Sequence, residues 1–579
     1  MISGNVRKPF LKLLPIQIAA VTAGSVNSLI DTLMTSRYIG PDAVAGIGFF
    51  SPMLTVTFLL YVVLRGTTIL CGRAVGAGKR KDVISLFSTA MVTVTGYGLL
   101  LGLGCFCFRD PLTRFLGAGG AAADHLRNYI AGYAPGIPFL CATMAMLTYL
   151  PCNNELRKSY FIMGLMIVSN TLCDYLLVAV LKLGTLGMGL ATTISYAISA
   201  MAMAPAFLKK TKAYHFERKT ISFRNMRETI RLGFPELLFN IGVTARNYLL
   251  NRTVMGSIGA AGIAVLNVEN TLLCFLGAVP QGVAAAFTLM ASIYYGERDR
   301  ESLKALTVTA LKTGLLLSGA VTAALMAGSG LISGLFFPKG GETGRLTRDM
   351  LLCFSSVFVF NTVFSLWTRI LQIEDHMKIV NAQNLLEQLF IAATSVIGMQ
   401  LIGVTSVWMA YPVSEILCLL TIGIWVAVGL GRLPRNLEEW MRLPEGFGAK
   451  HEDVMEATVN SLEEVKRLSE GIMSFLEKRG VGLRTRTVVG LCVEEMAGNV
   501  ICYGLKDGNT HTVEIRVVAE KQLIVRVRDD CRAFDPKQRI DQFEPEDPLK
   551  NIGIRLIGKL TTEMDYHIDA GINTLLMKI

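Results

Sequence analysis

The chain has 579 residues, of which 52% are hydrophobic and only 17% are charged, and its mean hydropathy is +0.46. Soluble proteins carry about 25% charged residues, so this composition excludes an ordinary soluble protein and indicates a membrane protein. The net charge of +11 does not indicate nucleic-acid binding, because the basic residues cluster in short loops between apolar runs, where they set membrane topology.

Twelve apolar runs are long enough to cross a bilayer, which takes about 20 residues in a helix. In chain order these runs lie near residues 12–35, 43–65, 85–108, 128–149, 160–181, 186–208, 233–255, 263–290, 306–327, 350–371, 380–401 and 405–429. The sequence therefore predicts twelve membrane helices followed by a polar tail. The 12 cysteines are scattered without C-x-x-C pairs, so we expect neither a disulfide framework nor a zinc site.

Basic residues in the loops predict the orientation of these helices. The loops after the second, sixth and eighth runs are rich in them: Arg73, Lys79, Arg80 and Lys81; Lys209, Lys210, Lys212, Arg218, Lys219, Arg224 and Arg227; and Arg298, Arg300 and Lys304. The loops after the first, fifth, seventh and eleventh runs carry one or none, although those after the third and ninth carry three each. By the positive-inside rule the even-numbered loops face the cytoplasm. We therefore expect a multi-pass plasma-membrane protein with both termini in the cytoplasm.

The two halves of the apolar region resemble each other at a nearly constant offset. Four pairs of residues lie 218 to 220 positions apart: Gly40 and Gly259, Gly78 and Gly296, Gly184 and Gly403, and Pro15 and Pro235. This pattern predicts a duplication of six spans, with bundles at residues 1–215 and 216–430. Because six is even, both copies enter the membrane from the same side and form a parallel repeat. In such repeats the substrate binds between the halves, which rock to expose it to each side in turn.

Three stretches of the apolar region resemble a known family. "SLIDTLMTSRYIGPDAVAGIGFFSP" (Ser28–Pro52) is similar to the first-helix signature of the multidrug and toxic compound extrusion family, and "SNTLCDYLL" (Ser169–Leu177) with "LGTLGMGLATTIS" (Leu183–Ser195) resembles its fifth and sixth helices. The resemblance covers roughly residues 10–430. It implies two six-helix bundles and export of organic, often cationic, compounds, driven by H⁺ or Na⁺. Some members carry a cation-binding carboxylate where this chain has Ala245 and Arg246, so that second-half site is not carried over.

Asp31 is the strongest candidate for ion coupling. An ionisable group inside a membrane is costly unless it is paired or hydrated, so each one is a functional candidate. Asp31 lies in a polar stretch of the first helix, and Asn170 and Asp174 share one face of the fifth helix at positions i and i+4. We expect the three residues to form one proton or cation site. The alternatives are an interfacial position for Asp31 and an interhelical hydrogen bond for the other two.

Ionisable residues also lie in or near the spans of the second half: Glu236, Arg246, Glu269, Arg369, Glu387 and Glu415. We interpret them mainly as structural pairs or as side chains that reach the lipid headgroups. The alternative is a buried pair of Arg246 and Glu269 that lines the transport cavity.

Beyond Gly431 the composition changes to that of a soluble protein. Residues 431–448 are a polar linker marked by proline and glycine, and residues 449–579 predict an α/β sandwich. Its first predicted element is an amphipathic helix over residues 451–480, and a second helix follows at about 483–503. "TVEIRVVAE" and "LIVRVRDD" alternate in polarity and predict a β-hairpin. "NIGIRLIGKL" predicts a helix and "NTLLMKI" a final strand.

This tail resembles the GHKL ATPase superfamily, and within it the anti-sigma-factor serine kinases. The resemblance implies that Asn499 ligates Mg²⁺, that Glu495 acts as the catalytic base one helical turn before it, and that Asp529 binds the adenine amino group of ATP. Glycines expected next are replaced by Cys531 and Ala533, and Asn551 replaces the first glycine of the phosphate-lid motif, whereas Gly553 remains. The sequence therefore predicts a cofactor site for ATP and Mg²⁺, and it leaves kinase or ATPase turnover open.

The leading functional prediction is a secondary active exporter with a cytoplasmic regulatory nucleotide-binding domain. Its expected partners are the lipid bilayer, a small organic substrate and a cytoplasmic protein that binds the tail. One alternative is a flippase for lipid-linked saccharides, which needs a large basic cavity that Arg65, Arg246 and Arg369 would supply. Another is a membrane-tethered serine kinase whose helices only sense. The chain has no Gly-x₄-Gly-Lys-Ser/Thr loop, which argues against direct ATP powering of transport.

Overall fold

The computed structural model describes residues 4–210, 212–337, 341–444, 446–504, 511–520, 522–532, 534–536, 552–569 and 572–579. Two parts are visible along the chain: a helical body up to Leu430 and a C-terminal domain built on a five-stranded sheet. Predictions that concern Ala533 and Asn551 lie outside the described residues.

The first lobe of the helical body contains ten described α-helices. They are α1 (Gly4–Tyr38), α2 (Pro41–Gly48), α3 (Ser51–Thr57), α4 (Leu60–Gly76), α5 (Arg80–Cys107), α6 (Arg109–Phe115), α7 (Gly120–Tyr133), α8 (Ile137–Tyr149), α9 (Leu156–Asp174) and α10 (Gly184–Leu208).

The second lobe contains nine described helices. They are α11 (Phe223–Ser257), α12 (Ala260–Leu276), α13 (Ala278–Gly296), α14 (Arg300–Ala327), α15 (Ser329–Phe336), α16 (Glu342–Phe354), α17 (Val357–Ile373), α18 (Met377–Ile402) and α19 (Thr405–Leu430).

Within the described ranges, eleven helical segments are long and apolar enough to cross a membrane. They correspond to eleven of the twelve predicted runs. The remaining run lies in α11, which has 35 residues and therefore sufficient length. Its charged and amide side chains, including Glu236, Asn240 and Arg246, explain why composition alone does not mark it. The fold thus agrees with the predicted membrane protein of two similar lobes.

Backbone conformation confirms two of the four predicted pairs of the repeat and corrects a third. Gly40 and Gly259 have φ angles of 128° and 78°, and Gly184 and Gly403 have φ angles of 58° and 74°. These values lie in the left-handed region that glycine tolerates. Gly78 does not correspond to Gly296, however. Helix α4 ends at Gly76 and α13 ends at Gly296, so the matching offset is 220 rather than 218 residues.

The lobes pack closely at the end of the body that carries the C-terminal domain. A side chain at Gly72 would collide with Ser292, and one at Gly76 or Gly296 would collide with the backbone of the opposite lobe. Helices α4 and α13 therefore cross at small residues, as membrane helices commonly do. We call this crossing, formed by Gly72, Gly76, Ser292 and Gly296, the closed end.

The segment between the body and the domain lies along the second lobe. Its short helix α20 (Leu437–Met441) is capped by Asn436, whose side chain accepts a hydrogen bond from the Glu439 amide at 2.9 Å. Glu438 forms ion pairs with Arg300 at 2.9 Å and Lys304 at 3.0 Å. These contacts hold the segment against the start of α14.

The C-terminal domain is a sheet with helices packed on one face. Its strands are β1 (Val454–Val459), β2 (Val513–Ala519), β3 (Leu523–Asp529), β4 (Glu563–Asp569) and β5 (Ile572–Lys578), in the antiparallel order β1-β2-β3-β5-β4. The helices are α21 (Leu462–Lys478), α22 (Leu483–Gly504) and α23 (Ile552–Leu560). The predicted hairpin, second helix, later helix and last strand are confirmed, and the overall α/β sandwich is confirmed with them.

Two predicted details of the domain are wrong or incomplete. The expected helix over residues 451–480 begins as strand β1, and α21 starts only at Leu462. Ser461 caps α21 by accepting a hydrogen bond from the Glu464 amide at 3.2 Å. Strand β4 was not predicted, although its sequence "EMDYHID" alternates in polarity as a half-buried strand does.

Candidate functional site

Asp31, Asn170 and Asp174 meet inside the first lobe. Asp31 comes from α1, and the other two come from the last turns of α9. The Asn170 side-chain nitrogen donates to Asp31 Oδ1 at 2.7 Å and to Asp174 Oδ2 at 2.9 Å. Asn170 and Asp174 are fully buried. One amide group therefore joins two carboxylates. The i, i+4 spacing predicted the contact between the two residues of α9, Asn170 and Asp174.

Several oxygen atoms around this cluster have no hydrogen-bond partner among the described residues. They are Asn27 Oδ1, Asn170 Oδ1 and Asp174 Oδ1, all of them buried. Directly after Asp174 the chain forms a π-helix (Tyr175–Val180), a geometry that is frequent at functional sites. Buried carboxylate and amide oxygens without donors are suited to hold a proton or a hard cation. Sequence reasoning missed the π-helix.

Glu236 joins the two lobes. Its Oε1 lies 3.2 Å from Arg65 Nε of α4 and 3.1 Å from an Arg369 nitrogen of α17. Both arginines are thus engaged by one partly buried carboxylate. This arrangement agrees with the interpretation of these residues as structural pairs.

A second group of polar residues lies inside the second lobe. Arg246 donates to Gln388 Oε1 at 2.8 Å and lies over the Tyr411 ring, 5.1 Å from its centroid. No ion pair between Arg246 and Glu269 is present in the described part of the chain, and both Glu269 oxygens are buried without a hydrogen bond. The direct Arg246–Glu269 pair considered from the sequence is therefore absent in this conformation.

In the C-terminal domain, Glu495 and Asn499 lie on one face of α22. Asn499 donates from its side-chain nitrogen to Glu495 Oε1 at 3.1 Å. The Glu495 carboxylate packs directly against Gly553 at the start of α23, where any side chain would collide with it. The structure therefore brings together three of the four residues predicted for the nucleotide site: Glu495, Asn499 and Gly553.

The fourth residue, Asp529, ends strand β3 and is buried. Its Oδ1 accepts hydrogen bonds from the Asn573 side chain at 2.6 Å and from the Cys531 amide at 3.0 Å. Burial raises the pKa of Asp529 to about 6, although these hydrogen bonds oppose the shift. Asn573 was not predicted. It lies opposite Asp529 in the register between β3 and β5, so correct strand pairing would have identified it.

The chemistry of these side chains fits a nucleotide. A buried carboxylate at a strand end can accept a hydrogen bond from the adenine amino group, and the Asn499 amide oxygen can ligate Mg²⁺. The start of α23 offers backbone amides to phosphate, but in this conformation the Glu495 carboxylate packs against that helix start.

Comparisons with known proteins agree with both parts of the fold. The MatE family matches residues 18–176 and 237–397, and the histidine kinase-like ATPase domain matches residues 458–579. "Probable multidrug resistance protein YoeA" of Bacillus subtilis is 22% identical over 438 residues, which cover 72% of this chain and 89% of the relative. "Probable multidrug resistance protein NorM" of Bradyrhizobium diazoefficiens is 25% identical over 357 residues, covering 58% and 74%.

Solved structures give the same fold. A crystal structure of MATE in the straight conformation superimposes with a TM-score of 0.68 at 18% identity, covering 73% of this chain and 96% of the other. Because the family match covers more than half of the sequence, the chain belongs to the MatE family of multi-pass membrane transporters, and it carries a C-terminal histidine kinase-like ATPase domain.

Proposed function

We propose that the protein is a secondary active exporter that exchanges H⁺ or Na⁺ for organic, mainly cationic, compounds. The observation that carries this proposal is the cluster of Asp31, Asn170 and Asp174, in which one amide group serves a buried carboxylate, Asp174, and a partly buried one, Asp31. Two negative charges in a low-dielectric interior repel each other unless a proton or cation neutralises one of them. Binding and release of that ion can therefore change the packing of α1 against α9.

The arrangement of the lobes supports alternating access. The loops rich in basic residues lie on the side of the C-terminal domain, so we place that side in the cytoplasm, together with both termini. The closed end is then the cytoplasmic end, and the conformation described here blocks access from the cytoplasm. Rocking of the lobes that separates α4 from α13 at this crossing would open that side and expose the substrate site to it.

We further propose that residues 449–579 are a regulatory nucleotide-binding domain, with residues 431–448 as its connection to the body. Asn499 would hold Mg²⁺, Asp529 would accept a hydrogen bond from the adenine amino group, and Glu495 would act as the base for a group that attacks the terminal phosphate. Bound ATP would contribute its binding free energy and the negative charge of its phosphates to this domain. A cytoplasmic protein partner of this domain stays a prediction.

The engaged arginines favour an exporter over a lipid-linked saccharide flippase. A flippase needs free positive charge to bind a phosphorylated substrate. Arg65 and Arg369 share the single Glu236 carboxylate, and Arg246 donates to the neutral amide of Gln388, so each of the three guanidinium groups already contacts a side chain of the protein, although only one carboxylate balances their charge.

Transport by the full chain in proteoliposomes tests the proposal. With an imposed H⁺ or Na⁺ gradient we expect export of an organic cation by the wild type and loss of at least about tenfold in rate for Asp31→Asn, because one carboxylate of the ion site is removed. Asp42→Asn is the matched control, since Asp42 is exposed at the start of α2. Transport that required ATP hydrolysis and no ion gradient would contradict the proposal.

A further inference from the structure

The sheet of the C-terminal domain has a polar face that is buried against the helical body. Alternate residues of β2 and β3 point away from the domain's own apolar core and include Glu514, Arg516, Arg526 and Arg528, which are 2 to 6% exposed. Charged residues are almost never fully buried unless they are paired. We call these four residues the charged sheet face and ask what pairs with it.

Its partners lie between α13 and α14 of the second lobe. Arg526 Nη1 lies 2.8 Å from Glu297 and 2.6 Å from Asp299. Arg516 also pairs with Asp299, and Arg528 pairs with Glu297. Arg528 further lies over the ring of Tyr294, 4.9 Å from its centroid.

The carboxylates and guanidinium groups of this contact stabilise one another as ion pairs. Burial by itself would raise the pKa of Asp299, but three guanidinium groups lower it far below its usual range. Both partner carboxylates are essentially inaccessible, with side-chain exposures of 4% for Glu297 and 1% for Asp299. Separating the two parts would leave buried charges without partners, which is costly until water reaches them.

The same domain also contacts the first lobe. Lys8 of α1 reaches Asp530, directly after β3, at 3.2 Å. Gly78, after α4, lies against Leu576 of β5. The domain therefore touches both lobes, and it does so beside the closed end, because Glu297 follows Gly296 in the chain.

We propose that the C-terminal domain, docked on the second lobe through the charged sheet face and on the first lobe through Asp530 and Leu576, clamps the two lobes together at the closed end, so that the domain must release Glu297 and Asp299 before that end opens. The proposal deepens the proposed function by naming how the domain regulates transport, and it rests on that function only for its effect on transport.

The position of the nucleotide site connects it to the clamp. Asp529 lies between Arg528, which binds Glu297, and Asp530, which binds Lys8. A ligand that shifts the end of β3 would therefore move both attachments at once.

Amide hydrogen exchange on the full chain in proteoliposomes tests the clamp. We compare residues 67–76 and 288–296, which contain the four residues of the closed end, in the wild type, Glu297→Gln and Arg528→Gln. Because removal of one member of a buried pair is strongly destabilising, we expect exchange there to rise at least about tenfold in both variants. Under an ion gradient, their transport rate should also rise.

Two controls make the result specific. Arg467→Gln removes an exposed ion pair with Glu463 on α21, away from the body, and should leave exchange unchanged. Protection of residues 513–517 shows that the sheet is still folded, and Glu297 lies outside the domain, so a change common to both variants reports on the contact itself.

The outcomes separate the two proposals. Equal exchange at the closed end in the wild type and in both variants would overturn the clamp, whatever Asp31→Asn does to transport. If exchange rises as expected while Asp31→Asn still transports at the wild-type rate, the clamp stands and the proposed ion coupling fails.

Discussion

At the scale of single residues, most of the proposed chemistry depends on side chains that share a partner. Asn170 serves two carboxylates in the body, and Glu236 serves two arginines between the lobes. Helical spacing was sufficient to place Asn170 beside Asp174, and Glu495 beside Asn499. It could not show that Arg65 and Arg369 meet at Glu236, because those contacts join helices far apart in the sequence.

Gly553 provides a test at this scale. Since a side chain at Gly553 would collide with Glu495, Gly553→Ala should destabilise the packing of α23 on α22 by about 1–3 kcal/mol. The measurement is the melting temperature of the C-terminal domain within the full chain.

Gly498→Ala is the matched control for that substitution. Gly498 lies in the middle of α22, where a methyl group would make only an ordinary contact with Leu462 at 3.6 Å. Replacement of a mid-helix glycine by alanine should stabilise the domain by up to about 1 kcal/mol. Equal effects of the two substitutions would show that Gly553 does not pack as described.

At the scale of helices and strands, amphipathic patterns predicted which elements are present more accurately than they predicted where each element begins and ends. The sequence predicted α22, the hairpin of β2 and β3, and β5. It extended α21 backwards over β1, because no glycine or proline separates "VMEATV" from the strongly amphipathic helix that follows. The signal for the true start was Ser461 with Glu464 three residues later, which is a capping box.

Ser461→Ala tests the assigned start of α21. Loss of the hydrogen bond to the Glu464 amide should lower the stability of the domain by about 1 kcal/mol. Chemical unfolding of the full chain, followed by a probe in the domain, measures this change. Ser474→Ala, at an exposed position within the same helix, should be neutral or slightly stabilising, and a loss as large as that of Ser461→Ala would contradict the assigned cap.

At the scale of the whole molecule, the duplication predicted the lobes, while the attachment of the domain had no signal in the sequence. The linker looked like a polar tether, yet Glu438 and Phe447 hold it against the second lobe through Arg300, Lys304 and the ring of Tyr295. Likewise, arginines at alternate strand positions look like a solvent-exposed face. Only the three-dimensional arrangement reveals that the helical body covers them.

Gly296→Val tests the closed end as a moving contact between lobes. Because a side chain at Gly296 would collide with the backbone of Arg73, the variant should fail to close and should lose at least about tenfold in transport rate. Gly96→Val in α5, where nothing lies within 4 Å of an added methyl group, is the control. Wild-type transport by Gly296→Val would rule out this crossing as part of the cycle.

The ends of α4 and α13 carry one further consequence for assembly. When Gly76 is matched with Gly296, Asp299 at the start of α14 has Lys79 as its counterpart at the start of α5. The repeat has therefore kept its backbone and reversed the sign of one charge. A domain rotated by half a turn about the pseudo-twofold axis would present its arginines to a lysine. Repulsion between these like charges would disfavour the rotated arrangement. The C-terminal domain can therefore dock in only one orientation, although the two lobes of the helical body are nearly symmetric.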